Sequence, residues 1–240
     1  ERLSNASIFS LDVLTTPANA LDAKLIGLSF SDLTGKAAYV PLQHQAPNSP
    51  EQLDITWVLK TLSPCLSNPD TCIAGQNLKH LLQIFSSLGI DIKATLYDTL
   101  LASYVINSTA HRHNVDALSE FYLEKSLMTY ESIAGKGAKQ LPFEQLTIPI
   151  AAAYAAEYAD AALQLQSAFS TQLTNSPALT SLLKTVELPL LRILATMESH
   201  GVLLDVACLH AHSHALGKRI AVLEEEAYTL AGAPFNLGST

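Results

Sequence analysis

Short apolar runs at Ile8–Leu11, Leu25–Phe30 and Ala37–Val40 open the chain, separated by turn residues at Thr16-Pro17 and Thr34-Gly35. Such runs predict β-strands, and their close spacing predicts an antiparallel meander of three. Ser49-Pro50-Glu51 carries a helix-start signal, with Ser as N-cap and Pro at the first helical position. Leu53, Trp57, Val58 and Leu62 follow at helical spacing. Past Pro64 the pattern alternates. It predicts a strand at Ile73–Ala74, a helix over Leu78–Leu88 ended by Gly89, a strand at Ile92–Tyr97, and helices over Asp98–Asn107 and Asn114–Leu123. Ile148–Leu173 is a long Ala-rich helix, and Asn175-Ser176-Pro177 marks a boundary by its turn chemistry. Beyond it only helices are expected: Leu179–His200, kinked at Pro189 and stopped by Gly201, then Val206–Ala231, stopped by Gly232. The expected organisation is an α/β domain over 1–175 and an all-α region over 176–240.

Composition narrows the class. Of 240 residues, 48% are apolar and 15% charged, which marks a folded, core-rich chain. The most apolar stretch, Leu179–Leu204, is interrupted by Lys184, Glu187, Arg192, Glu198 and His200, so no membrane span or membrane partner is expected. The chain opens at Glu1 without a Met or a signal-peptide pattern and is read as a portion of a longer cytoplasmic protein. A net charge of −8, from 14 basic against 22 acidic residues, excludes a strong general nucleic-acid groove, though not a local basic strip. Cys65 and Cys72 flank a turn-rich stretch that leaves room for a local bridge, but three Cys residues in such a chain read as reduced thiols. Gly135-Lys136-Gly137-Ala138-Lys139 lacks the spacing and the Ser or Thr of a P-loop, so Glu131–Leu141 reads as a mobile surface loop.

Three segments carry the chemistry. They are Phe9-Ser10-Leu11-Asp12-Val13-Leu14, Gly75-Gln76-Asn77-Leu78-Lys79-His80-Leu81, and Tyr154-Ala155-Ala156-Glu157-Tyr158-Ala159-Asp160. In order, they resemble the three motifs of the proofreading 3′→5′ exonuclease domain of family A bacterial DNA polymerases: Asp-x-Glu, Asn-x-x-x-Asp and Tyr-x-x-x-Asp. Downstream, Glu187-Leu188-Pro189-Leu190, His200-Gly201-Val202 with Asp205, and Phe235-Asn236-Leu237-Gly238-Ser239-Thr240 resemble the opening of that family's polymerase domain and thumb. The resemblance runs in order along the whole chain. It implies the large (Klenow-type) portion of such an enzyme: a ribonuclease H-like (DnaQ-like) mixed sheet with flanking helices, then the all-α start of the thumb. It also implies a bacterial, nucleoid-associated monomer that replicates and repairs DNA with Mg²⁺. The nucleotidyl-transfer residues would lie downstream, so no cofactor is expected in these 240 residues.

The departures from the motifs matter as much. Two-metal hydrolysis needs several carboxylates in one pocket, because Mg²⁺ takes oxygen ligands in near-octahedral geometry. Asp12 is retained, but Leu14, Leu81 and Tyr158 stand at the other three carboxylate positions. Asp12 and Leu14 share one strand face; Asn77 and Leu81, and Tyr154 and Tyr158, are each four apart on a helix. Asp160 lies two residues beyond Tyr158, about 200° around the helix, and cannot take its place. A vestigial site whose pocket has become core is therefore expected, with Asp12 the only retained ligand and bonded to nearby backbone. By resemblance, Gln76, Asn77, Arg112 and Tyr154 match positions that touch a single-stranded 3′ end. Read from the residues alone, Asn77 is an N-cap and Asp98 a helix cap. Two alternatives stay open: an active nuclease that joins Asp12 to Asp98, Glu157 or Asp160, and a non-catalytic module that binds single-stranded DNA or a protein. His210, His212 and His214 lack a third ligand and a zinc-protease Glu, so they read as a solvated helix face, as do Glu224-Glu225-Glu226.

Overall fold

The computed structural model describes residues 2–16, 19, 22–109 and 112–238. In chain order the first elements are α1 (Arg2–Asn5), β1 (Ile8–Thr15), β2 (Leu25–Leu33), β3 (Lys36–Pro41), α2 (Ile55–Ser67), β4 (Cys72–Gly75) and α3 (Leu78–Ser87). There follow β5 (Thr95–Asp98), α4 (Thr99–Ile106), α5 (Val115–Leu123), α6 (Tyr130–Ala134) and the long α7 (Ile148–Thr174). The last are α8 (Pro177–Leu182), a π-helical turn (Leu183–Glu187), α9 (Leu188–His200) and α10 (Val206–Ala231). Pro17, of the first turn signal, and Ser239-Thr240, of the thumb-like segment, lie outside the described residues.

The five strands form one sheet in the order β3-β2-β1-β4-β5. The expected meander is present, since β1 pairs antiparallel with β2 and β2 with β3. On its other side β1 pairs parallel with β4, and β4 with β5. This is the mixed, ribonuclease H-like sheet. Phe9, Leu11 and Val13 alternate along β1 into the main core, where α2, α3 and Leu191 of α9 meet them. The opposite face carries Ser10, Asp12 and Leu14 toward α7. A stripe of buried Ala151, Ala155, Ala159 and Ala162 lets α7 lie close to the strands, and Ser10 Oγ donates to the Ala159 carbonyl at 2.6 Å. Gly75 serves the same closeness on β4, for a Cβ there would sit 2.8 Å from the Leu11 carbonyl oxygen.

Four local expectations change. First, α2 begins at Ile55 rather than at Pro50, because Asp54 caps it by accepting from Trp57 N at 2.8 Å. Gln52 is held away from helical geometry by a two-way bond with the backbone of His44, at 2.8 and 2.9 Å. Second, the same helix continues through Pro64, where burial of Cys65 and Leu66 outweighs the lost hydrogen bond. Third, β5 starts only at Thr95. The Ile92 and Ala94 carbonyls are taken by Arg192 at 2.7 Å each, and the N–H groups of Lys93 and Ala94 turn to Leu66 O at 2.9 and 3.0 Å. Fourth, the stretch expected as a mobile loop forms α6 and a short 3₁₀ turn at Gly137–Lys139. The Thr129 hydroxyl caps Ser132 N at 3.2 Å, and Tyr130 Oη donates to Leu141 O at 2.8 Å. The disturbance expected at Pro189 takes the form of the π turn, where Leu188 N–H reaches back to Leu183 O.

By its internal contacts the chain divides into Glu1–His200 and Gly201–Thr240. Within the first unit, the π turn supplies the buried Leu183, and α9 supplies Leu191 and Ala195. The second unit is α10 with short flanks, capped by Asp205 on Cys208 N at 2.9 Å and closed by Gly232 in the left-handed region. His210, His212, His214 and Glu224-Glu225-Glu226 are all exposed on it. The three cysteines are free thiols.

Candidate functional site: the face between β1 and α7

Asp12 and Leu14 project from β1 toward α7, and Tyr154 and Tyr158 project from successive turns of α7. Asp12 is half-buried and takes one hydrogen bond, from the N–H of its own neighbour Val13, at 2.9 Å. Burial lifts its carboxyl from the ordinary range to about 6, and that single bond recovers little of the shift. Leu14 packs with Ile26, Phe143, Leu146, Ala151 and Tyr154 in an apolar cluster. The rings of Tyr154 and Tyr158 lie 4.4 Å apart at 34°, and Tyr130 and Phe143 each approach Tyr154 at 6.1 Å. Burial pushes the Tyr154 phenol up to about 12, and its charged neighbours Asp116 and Asp12 push the same way.

Tyr158 has its own partner. Its hydroxyl donates a short hydrogen bond to Asp116 Oδ1, and its phenol is raised far above the ordinary range, first by burial and then by that bond. Asp116 comes from the first turn of α5, two residues after the Asn114 cap, which accepts from Ala117 N at 3.3 Å. Nothing in the sequence pattern singled Asp116 out. A first-turn Asp is ordinary in a helix, and only the packing of α5 on α7 turns it toward Tyr158.

Leu81 does not join this group. It is 2% exposed and sits in the main core with Phe9, Leu11 and Val13. Its neighbour His80 reaches the strand instead, with Nε2 3.4 Å from Thr15 Oγ1. Asn77 is not a side-chain cap. It occupies the left-handed region at φ 54° and makes no capping bond. The role passes to Asp98, which accepts from Leu78 N at 2.7 Å through Oδ2 and from Leu100 N and Leu101 N at 2.9 and 3.3 Å through Oδ1. One carboxylate thus caps both α3 and α4. Both ends of the Gln76 amide are engaged, with Oε1 accepting from Thr99 Oγ1 at 2.6 Å and Nε2 donating to His113 O at 2.5 Å. That bond fastens the backbone beside exposed Arg112 to the end of β4.

The other carboxylates considered for a rebuilt site are also committed. Glu157 accepts from Met128 N at 2.8 Å. Asp160 accepts from Gly35 N at 2.7 Å and from the amide of Gln164. Among the described residues, no three His, Cys, Asp or Glu side chains gather to hold a metal.

Residues 1–174 match the family model described as 3′-5′ exonuclease, of the DNA polymerase A type. The chain belongs to that exonuclease family. It is 43% identical to the DNA polymerase I of Pseudomonas aeruginosa over 241 residues, covering 100% of this chain and 26% of the relative. The DNA polymerase I of Rhizobium leguminosarum is 34% identical over 249 residues, covering 97% of this chain and 24% of the relative. Among solved structures, the POL domain of Pol1 from M. smegmatis, in complex with DNA primer-template and dNTP, superposes with a TM-score of 0.71 at 26% identity. It covers 99% of this chain and 36% of that one. The chain therefore spans about a quarter of the length of the curated relatives it matches. Asp12 and Leu14 lie on β1, Leu81 on α3, and Tyr154 and Tyr158 on α7. No helix among the described residues is long and apolar enough to cross a membrane.

Proposed function

We propose that this chain is the exonuclease-like portion of a bacterial DNA polymerase I, residues 1–175, followed by the first helices of its polymerase domain, residues 176–240, and that its exonuclease fold is a scaffold rather than a nuclease. The observation that carries this reading is Tyr158. At the last motif position a phenol stands in place of a carboxylate, and its hydroxyl is spent on Asp116. Leu14, at the second position, lies in an apolar cluster. One carboxylate, two leucines and a phenol do not fit a pair of Mg²⁺ ions, which take oxygen ligands. The rebuilt-site reading has less support, since Asp98, Glu157 and Asp160 each serve the backbone elsewhere.

On this proposal the complete protein is a monomeric DNA-directed DNA polymerase of the bacterial cytoplasm and nucleoid, acting in replication and repair. It engages DNA and uses Mg²⁺ through parts beyond these residues. Gln76, Asn77, Arg112 and Tyr154 would give at most weak contact with a single strand. The test is a 5′-labelled single-stranded oligonucleotide incubated with the protein in Mg²⁺ or Mn²⁺, beside an Asp12→Ala control. No laddering above control is expected. Laddering that disappears in Asp12→Ala would show a working site and overturn the scaffold reading.

A further inference from the structure

Away from the motif positions, a cavity of about 700 Å³ lies between the outer edge of β5, the end of α7 and the α8–α9 segment. Leu96, Leu173, Leu183 and Leu188 give it apolar walls. Its only charged lining residues are Lys93, Lys184 and Arg192. That is unusual in a chain of net charge −8. Among the described residues, none of the three makes an ion pair. Arg192 gives two N–H groups to the Ile92 and Ala94 carbonyls, which leaves its charge in place. Asp91 acts on Arg192 from a neighbouring cavity of about 300 Å³ that Arg192 also lines.

Polar side chains complete the lining. Tyr97 lines the cavity, half-buried, with its hydroxyl in reach of the Ser170 hydroxyl. Ser170, also in the lining, already accepts from Gln166 Nε2 at 2.9 Å. The π turn borders the same space through Leu183 and Lys184, and such turns recur beside functional sites.

We infer that this cavity binds a small amphipathic anion, with a carboxylate or phosphate head among Lys93, Lys184 and Arg192 and an apolar tail along the leucine walls. The volume suits a ligand of drug-like size. The inference does not depend on the state of the exonuclease motifs. The experiment titrates the full chain with decanoate and with decyl phosphate by calorimetry, beside uncharged decanol. Saturable one-to-one binding is expected for at least one anion, with decanol weaker by about tenfold or more. Whichever anion binds tighter identifies the head group. Lys93→Glu with Lys184→Glu should weaken the anion about tenfold or more. Thr174→Trp should close the mouth and abolish binding. All three positions are exposed, so circular dichroism should stay unchanged. Absence of saturable binding, equal binding of decanol, or binding unaffected by these substitutions would overturn the proposal.

Discussion

Asp12, half-buried midway along β1, and Asp98, buried at the end of β5, are both raised by burial, yet they differ in the donors that meet them. Asp98, 1% exposed, accepts three backbone N–H groups from the starts of two helices. Burial raises its carboxyl above the ordinary range, and those donors offset part of the rise. Asp12 has a single donor, from the adjacent residue, and its carboxyl rises to about 6. Burial alone therefore does not decide whether an aspartate strengthens a fold. The number of donors aimed at its charged form does. One of the pair is a structural joint, and the other is a charge kept without structural return.

The largest effect should come from the joint. Asp98→Ala removes the caps of α3 and α4 together and leaves buried N–H groups unpaired, a loss of about 3–4 kcal/mol in urea denaturation. A loss below 1 kcal/mol would erase the contrast between the two aspartates. Asp12→Asn should act in the opposite direction. Between the ordinary carboxylate range and about pH 6, the unfolded chain has released the proton of Asp12 while the folded chain keeps it. Stability is therefore lost as pH rises through that window and stays lost above it. The Asn variant should gain about 2 kcal/mol at pH 7.5 and nothing at pH 4. A gain equal at both pH values would mean that ionisation is not the cause. Tyr158→Phe should cost least, about 1 kcal/mol for its bond to part-exposed Asp116. Asp116→Asn combined with it should add little if the two act as one pair.

Much of this was legible in the chain. The three strands of the meander, the Gly stops after α3, α9 and α10, and the Asn114 cap depend on neighbours in sequence, and each lies where its pattern pointed. The motif positions were legible too, because spacing fixes strand faces and helix faces. What the sequence hid were interactions across long separations. The start of α2 is the exception, since Asp54 captures Trp57 N and Gln52 answers His44 within a short stretch of chain. Asn77 lost its capping role to an aspartate 20 residues or so away in chain, brought there by the β4–β5 pairing. Asp116 stayed invisible because only the packing of α5 against α7 gives it meaning.

Arg192 holds the last consequence. Its guanidinium covers the carbonyls that lead into β5, the outermost strand of the sheet, while Lys79 and Gln83 of α3 grip Glu198 at 2.7 and 2.8 Å. The family match ends at residue 174, before any of these grips. A protein trimmed to that match would lose the cover over its sheet margin together with Leu183 and Leu191. It would present a bare strand edge beside apolar surface, the arrangement that invites one molecule to stack onto the next. A piece ended near His200 would keep that cover and both leucines.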